Sequence, residues 1–196
     1  SDAREIARLK KELATVRAVL RSYVIEIDSL NRLNQNLTAE NTRIKGQYNE
    51  ATRQIEGLNT ERATLSEKVA IAAQLDATGI SMQLKNKRGK NTDKTSKCTN
   101  IQVNFTIAKN VTARNGQKTF YVRITTPAGT TLGGGASFNY QNRSLEATMH
   151  KTVEYGGQEM AITTYWNVSQ SLLAGTYQVS IFADGNMIGS RSFTFK

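Results

Sequence analysis

Hydrophobic residues between positions 3 and 75 recur with a period of seven, at spacings that alternate three and four. With Ile6 as position a, the a residues are Ile6, Leu13, Leu20, Ile27, Asn34, Asn41, Tyr48, Ile55, Arg62 and Val69. The d residues are Leu9, Val16, Tyr23, Leu30, Leu37, Ile44, Ala51, Leu58, Leu65 and Ala72. No proline interrupts the stretch, and the spacing holds over ten heptads. A lone surface helix drifts against a strict heptad because 3.6 does not divide seven, so an unbroken 3.5 period specifies a left-handed coiled coil. The pattern predicts one coiled-coil helix over residues 1–78, whose ten heptads make a rod of roughly 105 Å at 1.5 Å per residue. Its seam is expected to be filled by Leu9, Leu13, Leu20, Ile27, Leu30, Asn34, Leu37, Asn41, Ile44, Ile55, Leu58 and Leu65.

The flanking positions bear on direction and strand number. In a parallel pair each g residue meets the e residue five positions on, in the partner helix. Glu5–Lys10, Glu12–Arg17 and Glu40–Lys45 are such pairs, all opposite in sign. Exposed pairs contribute at most about 0.5 kcal/mol each, so their value is in register. Asn34 and Asn41 at a favour a parallel dimer, where a buried Asn meets its own copy. Arg62 at a leaves a two-stranded seam more easily than a three-stranded one. The expectation is a parallel homodimer. Val19, Val24 and Leu33 widen the apolar stripe at g, e and g and keep a trimer as the alternative. Asn34, Asn41, Tyr48 and Ala51 give successive weak layers, and Gly46 and Gly57 each cost roughly 1 kcal/mol relative to Ala. Tolerance of poor residues in a long helix explains this stretch more simply than a partner-binding segment.

Gly79 reads as the helix C-cap, and beyond it the period falls to two. Ile101, Val103, Phe105 and Ile107 alternate with polar residues, as do Phe120, Val122 and Ile124. Met160, Ile162 and Trp166 form a further set, then Tyr177, Val179 and Ile181, then Phe193 and Phe195. Asn115-Gly116, Gly133-Gly134-Gly135, Gly156-Gly157 and Asp184-Gly185-Asn186 punctuate them, the last as a tight hairpin. The fold class expected is therefore α and β in segregated domains: the helix, then an all-β head over residues 79–196. Seven or eight strands with no helical pattern point to a sandwich.

The segment Leu172-Leu173-Ala174-Gly175-Thr176-Tyr177-Gln178-Val179 resembles the start of a late strand in immunoglobulin-like and fibronectin-like domains. The resemblance implies a tyrosine corner at Tyr177, with Val179 where antibody domains place a Cys. The chain departs from that pattern in lacking a Cys pair, and Trp166 falls too late for the usual central Trp.

Charge changes the picture more than size does. The 196 residues carry 26 Lys and Arg against 16 Asp and Glu, a net charge of +10. Twelve basic and eleven acidic residues lie in 1–79, whereas 80–196 hold fourteen and five. The excess therefore belongs to the head. It concentrates in segment 85–97, with Lys85, Lys87, Arg88, Lys90, Lys94 and Lys97 against Asp93 alone. These six are the candidate binding residues for a polyanion or a protein partner. Nucleic acid, acidic glycan, lipopolysaccharide and anionic lipid all suit such a patch. No aromatic interrupts it, which weakens a single-strand nucleic-acid reading. A mobile, solvated loop that keeps the head soluble is the plain alternative.

Candidate chemistry is thin. One Cys excludes an intrachain disulfide, and one Cys with one His argues against a zinc site. No catalytic, cofactor or metal site is expected. Glu154 and Glu159 flank Gly156-Gly157 and read as surface residues across a hairpin. His150 reads as an exposed strand residue, since no G-x-S-x-G accompanies it. Cys98 borders the basic loop, which is able to lower its pKa, but reads as a plain thiol. Gly133-Gly134-Gly135 lacks the Gly-Lys-Ser/Thr ending of a phosphate loop and reads as a strand-linking turn. Asn-x-Ser/Thr occurs at Asn36, Asn104, Asn110, Asn142 and Asn167, near the frequency chance gives in so Asn- and Thr-rich a chain. No apolar run is long enough to span a bilayer. Tyr121 and Phe182 point outward by alternation, either as a contact patch or beneath a loop.

The architecture resembles uncharacterised Bacteroides-type envelope proteins with a coiled-coil stalk and an immunoglobulin-like β-sandwich head. The likeness lies in the Asn/Thr-rich strands and in the ending Gly175-Thr176-Tyr177-Gln178-Val179 … Asp184-Gly185-Asn186. It implies a non-enzymatic structural or interaction protein, exported and membrane-tethered, facing the periplasm or cell surface. The heptads are already in phase at Ile6; a signal or anchor upstream would distinguish this reading, with membrane contact only through that segment. A cytosolic start counts against this reading. Two alternatives stand beside it: a nucleic-acid or chromosome-associated protein gripping phosphates through 85–97, and a trimeric fibre-like attachment protein.

Overall fold

A computed structural model describes residues 2–196. Helix α1 runs Asp2–Ala72 without a break, and none of its residues is buried. Contacts divide the chain into two compact units, one ending at Thr64 and one over Leu65–Lys196.

Within the second unit the helix ends earlier than the heptads predict. Ala73 N still bonds Val69 O at 2.8 Å, and Gln74 N bonds Ile71 O at 3.2 Å, which tightens the last turn. Asn110 supplies the cap from the head: its Nδ2 donates to Ala72 O (3.0 Å) and Gln74 O (3.1 Å). The predicted boundary after residue 78, with Gly79 as C-cap, is thus displaced into the first strand. The cause is local. Ala72, Ala73 and Gln74 are good helix formers and carry the pattern on, but Leu75 turns into the core with 5% exposure.

The strands are β1 (Ala77–Lys85), β2 (Asn91–Thr92), β3 (Asn100–Ile107), β4 (Gly116–Thr125), β5 (Ser137–Tyr140) and β6 (Arg143–Glu146). They continue with β7 (Met149–Tyr155), β8 (Met160–Asn167), β9 (Gly175–Ala183) and β10 (Asn186–Phe195). A 3-10 turn, Thr95–Lys97, lies between β2 and β3. One sheet has the order β2-β1-β3-β8 and the other β10-β9-β4-β7, with β5-β6 as a separate pair. Every pairing among these strands is antiparallel. Strand β1 was hidden in the sequence because a bulge between Thr78 and Ser81 breaks its alternation, and Gly79 takes φ +59° there.

Alternation buries Ile101, Val103, Phe105 and Ile107 of β3 and Phe120, Val122 and Ile124 of β4. The Phe105 and Phe120 rings meet edge to face at 6.0 Å and join the two sheets. The Tyr177 hydroxyl donates to Leu173 O at 2.6 Å, which is the bond of a tyrosine corner at the start of β9. The long strands β1, β3 and β8 on one side and β4, β7, β9 and β10 on the other make an immunoglobulin-like sandwich after a long N-terminal helix. The β9–β10 hairpin turns at Asp184 and Gly185, both at positive φ, and Asn186 pairs with Ala183. That is the two-residue turn whose twist matches the flanking strands.

Candidate functional site

Two surface features stand out, one on α1 and one on the head. The first is the stripe on α1. Leu9, Leu13, Leu20, Ile27, Leu30, Leu37, Ile44, Ile55, Leu58 and Leu65 each keep 50% or more of their surface exposed. Asn34 and Asn41 lie on the same stripe and are exposed as well. Large apolar side chains exposed at a and d through the whole helix leave a surface far beyond what soluble proteins tolerate unpaired. Each side chain covered gains roughly 1.5–3 kcal/mol. In the single chain Glu5 lies 3.9 Å from Arg8, and Glu40 bonds Arg43. The Arg43 hydrogen bond holds the Glu40 carboxyl below its ordinary range. These i,i+3 contacts compete with the interhelical pairs of the same two glutamates, so the register signal from charge is weaker than spacing alone suggests.

The second feature is basic and ordered. Segment 85–97 is a hairpin closed by β2 followed by a 3-10 turn at Thr95–Lys97, not a free loop. Leu84 pairs with Thr92 and Lys85 with Asn91. The Asn86 Oδ1 accepts from Arg88 N (2.9 Å) and Lys90 N (3.1 Å), which fixes the turn. Thr95 N donates to Lys196 O at 2.7 Å and Lys196 N to Asp93 O at 2.8 Å, so the end of β10 closes the corner. Lys87, Arg88, Lys90, Lys94 and Lys97 are exposed, and Lys85 is half-buried. An open groove of about 620 Å³ runs beside them, lined in part by Gln83, Asn91, Lys94, Lys97 and Phe195. Asp93 faces Lys196 at 3.8 Å, an exposed and weak pair. The corner lies at the end of the sandwich opposite Ala77, where the chain enters the head.

The remaining candidates fall elsewhere. Cys98 is buried, with its thiol 3.3 Å from Asn100 O. Burial pushes that thiol up, so the basic neighbours do not activate it. Glu154 and Glu159 do not face each other across a hairpin, because β7 and β8 belong to different sheets. Tyr121 and Phe182 do not form an open patch: hairpin β5-β6 lies over them. Phe138 stacks on Tyr121 at 4.7 Å and meets Phe182 at 4.9 Å, leaving Phe182 3% exposed. His150 is exposed on β7, its ring 6.1 Å from Tyr121. Asn110, noted only for its Asn-x-Thr pattern, is structural: besides capping α1 it accepts from Thr112 N and Ala113 N at 2.9 Å. Nothing short of the fold marks it. Among the described residues no helix is long and apolar enough to cross a membrane.

Against known proteins, residues 75–196 match the family model described as a domain of unknown function, DUF8428. Residues 1–63 match a coiled-coil region of unknown function, DUF8429. No curated protein matches the chain. Among solved structures, the alkylpurine DNA glycosylase AlkC of Pseudomonas fluorescens, bound to DNA containing an abasic site analog, is 11% identical with a TM-score of 0.38. The match covers 62% of this chain and 30% of that one. A Kluyveromyces marxianus beta-glucosidase in complex with glucose is 14% identical with a TM-score of 0.38, over 63% of this chain and 14% of the enzyme. The chain thus spans less than a third of either structure's length, and at these scores neither likeness bears on function.

Proposed function

The chain belongs to the family of the DUF8428 domain of unknown function, and from that premise we propose that it is a non-enzymatic interaction protein. Copies associate through α1 as a parallel two-stranded coiled coil, and each carries a basic head that binds a protein or polyanionic partner at the cell envelope. The observation that supports this reading is the uncovered apolar stripe of α1, from Ile6 at 55% exposure to Val69 at 57%. Such a stripe is satisfied by a second copy of itself in register, where Asn34 meets Asn34 and Asn41 meets Asn41. Two heads then double the basic corners on one particle, and linked sites raise avidity well above that of either alone. The sandwich of the head, the net charge of 80–196 and the ordered hairpin under Lys87, Arg88 and Lys90 support a polyanion as partner over a purely structural head.

The test is binding of the whole chain to heparin, to vesicles rich in anionic lipid and to duplex DNA, each across a salt series. The expected result is binding that weakens steeply with salt and is abolished by the combined change Lys87→Glu, Arg88→Glu and Lys94→Glu. Duplex DNA bound far more tightly than the other two moves the protein to a nucleic-acid role, with log K falling linearly in log salt. Equal behaviour of the charge-reversed and native chains contradicts a basic-corner site.

A further inference from the structure

A second surface of the head, at the same end as the basic corner, has a different chemistry. An open groove of about 420 Å³ lies where edge strands β7 and β8 of the two sheets meet the loop before β5. That size falls in the range of small-ligand sites. Its wall includes Gly133, Gly134, His150, Tyr165, Trp166 and Asn167. We propose that this groove binds a neutral oligosaccharide.

Three observations carry the assignment. First, no Lys, Arg, Asp or Glu lines the groove, in a head with fourteen basic residues against five acidic. Two charged side chains lie nearby and both are already engaged: Glu146 Oε1 accepts from Gly134 N of the wall itself at 3.0 Å, and Lys151 Nζ donates to Thr163 O at 3.4 Å. An uncharged wall selects an uncharged ligand, since a charged one would lose its hydration without a counter-charge. Second, Tyr165 stands 61% exposed on β8, an aromatic face open to water beside amide, imidazole and hydroxyl groups. Asn100 occupies the Asn167 Oδ1 at 2.8 Å, and the Asn167 amide Nδ2 has no acceptor among the described residues. A ring that stacks on C–H faces beside donors that meet hydroxyls is the chemistry a sugar requires. Third, the wall is pre-formed. Trp166 Nε1 donates to Gly133 O at 2.8 Å, and Gly135 is packed so that a Cβ would lie 2.4 Å from Ala147 O. Lys151 on Thr163 O also blocks the free edge of β8, which disfavours an extended peptide added as a further strand.

The chain holds a single Trp, and it lines this groove, so its emission reports on the site. Whole protein would be titrated with soluble cello-, malto-, manno- and chitohexaose while Trp166 fluorescence is followed. The expected result is a saturable change with at least one of them, weakened about tenfold or more by Tyr165→Ala and by Asn167→Ala. Tyr165 is exposed and outside the core, and an unchanged melting temperature verifies the fold of each variant. Lys87→Glu, on the basic corner, should leave the titration as it was. No response to any of the four into the millimolar range overturns the proposal. So does a response equal in Tyr165→Ala, or binding only of a sulfated or uronic-acid glycan. Selection of a peptide by the same groove, displaced by none of the sugars, overturns it as well.

Discussion

Asn110 and Tyr177 show how single polar side chains hold the head together. The Asn110 amide satisfies two carbonyls at the end of α1 and two backbone N–H groups of its own loop. Asn110→Ala should cost about 2 kcal/mol, the value of a lost cap with its neighbouring hydrogen bonds, read as a lower urea midpoint. Tyr177→Phe removes only the bond to Leu173 O and should cost about 1 kcal/mol. Cys98 makes a pH prediction. Burial raises its thiol above the ordinary value of 9.0, so the unfolded chain releases that proton first as pH rises. Its contribution is complete below that value and is lost as pH climbs through it toward the folded value. Native protein should therefore lose more stability than Cys98→Ala across that alkaline window, in denaturant titrations run pH by pH. Tyr177 was legible from its neighbours Leu173 and Gly175, because a tyrosine corner is local in sequence. The capping role of Asn110 was not, because the carbonyls it caps lie 36 and 38 residues away.

At the scale of elements, legibility followed periodicity. The heptads of α1 and the alternations of β3, β4, β8 and β9 are regular, and the structure follows them. Strand β1 is not regular, since its bulge shifts phase at Thr78–Ser81, and its first two residues fall within the helix that the heptads predict. The basic segment was legible as charge but not as a hairpin. Its order comes from the Asn86 side chain and from the backbone of Lys196, which is distant in sequence. Hairpin β5-β6 is not legible either, being four residues a side with a Gln141-Asn142 turn at positive φ. It is anchored through aromatic contacts to the outer face of β4 and β9. Phe138→Ala removes the central ring of that cluster. Amide exchange over residues 137–146 should then accelerate while β3 and β4 stay protected, because small clusters open below the global unfolding energy. Uniform acceleration across the head would mean that the hairpin is part of the main core. On α1, Asn34→Val with Asn41→Val should raise the melting temperature of the helix and broaden the choice of strand number. Buried Asn trades stability for a fixed dimer.

For the whole molecule, the chain pairs an uncovered apolar helix with a well-closed, positively charged sandwich. The head satisfies itself: every buried side-chain N and O atom among the described residues has a hydrogen-bond partner. The helix does not, with twenty large apolar side chains exposed along it. Self-association through α1 is therefore the central claim, and sedimentation equilibrium of the intact chain at low and high salt tests it most directly. The expected result is a particle of twice 21.7 kDa at both salts, since the seam is apolar and the charge pairs only tune it. A trimer would overturn the reading of Asn34, Asn41 and Arg62 and favour a fibre-like attachment role. A monomer at both salts would contradict self-association outright, leaving the stripe to a different helix.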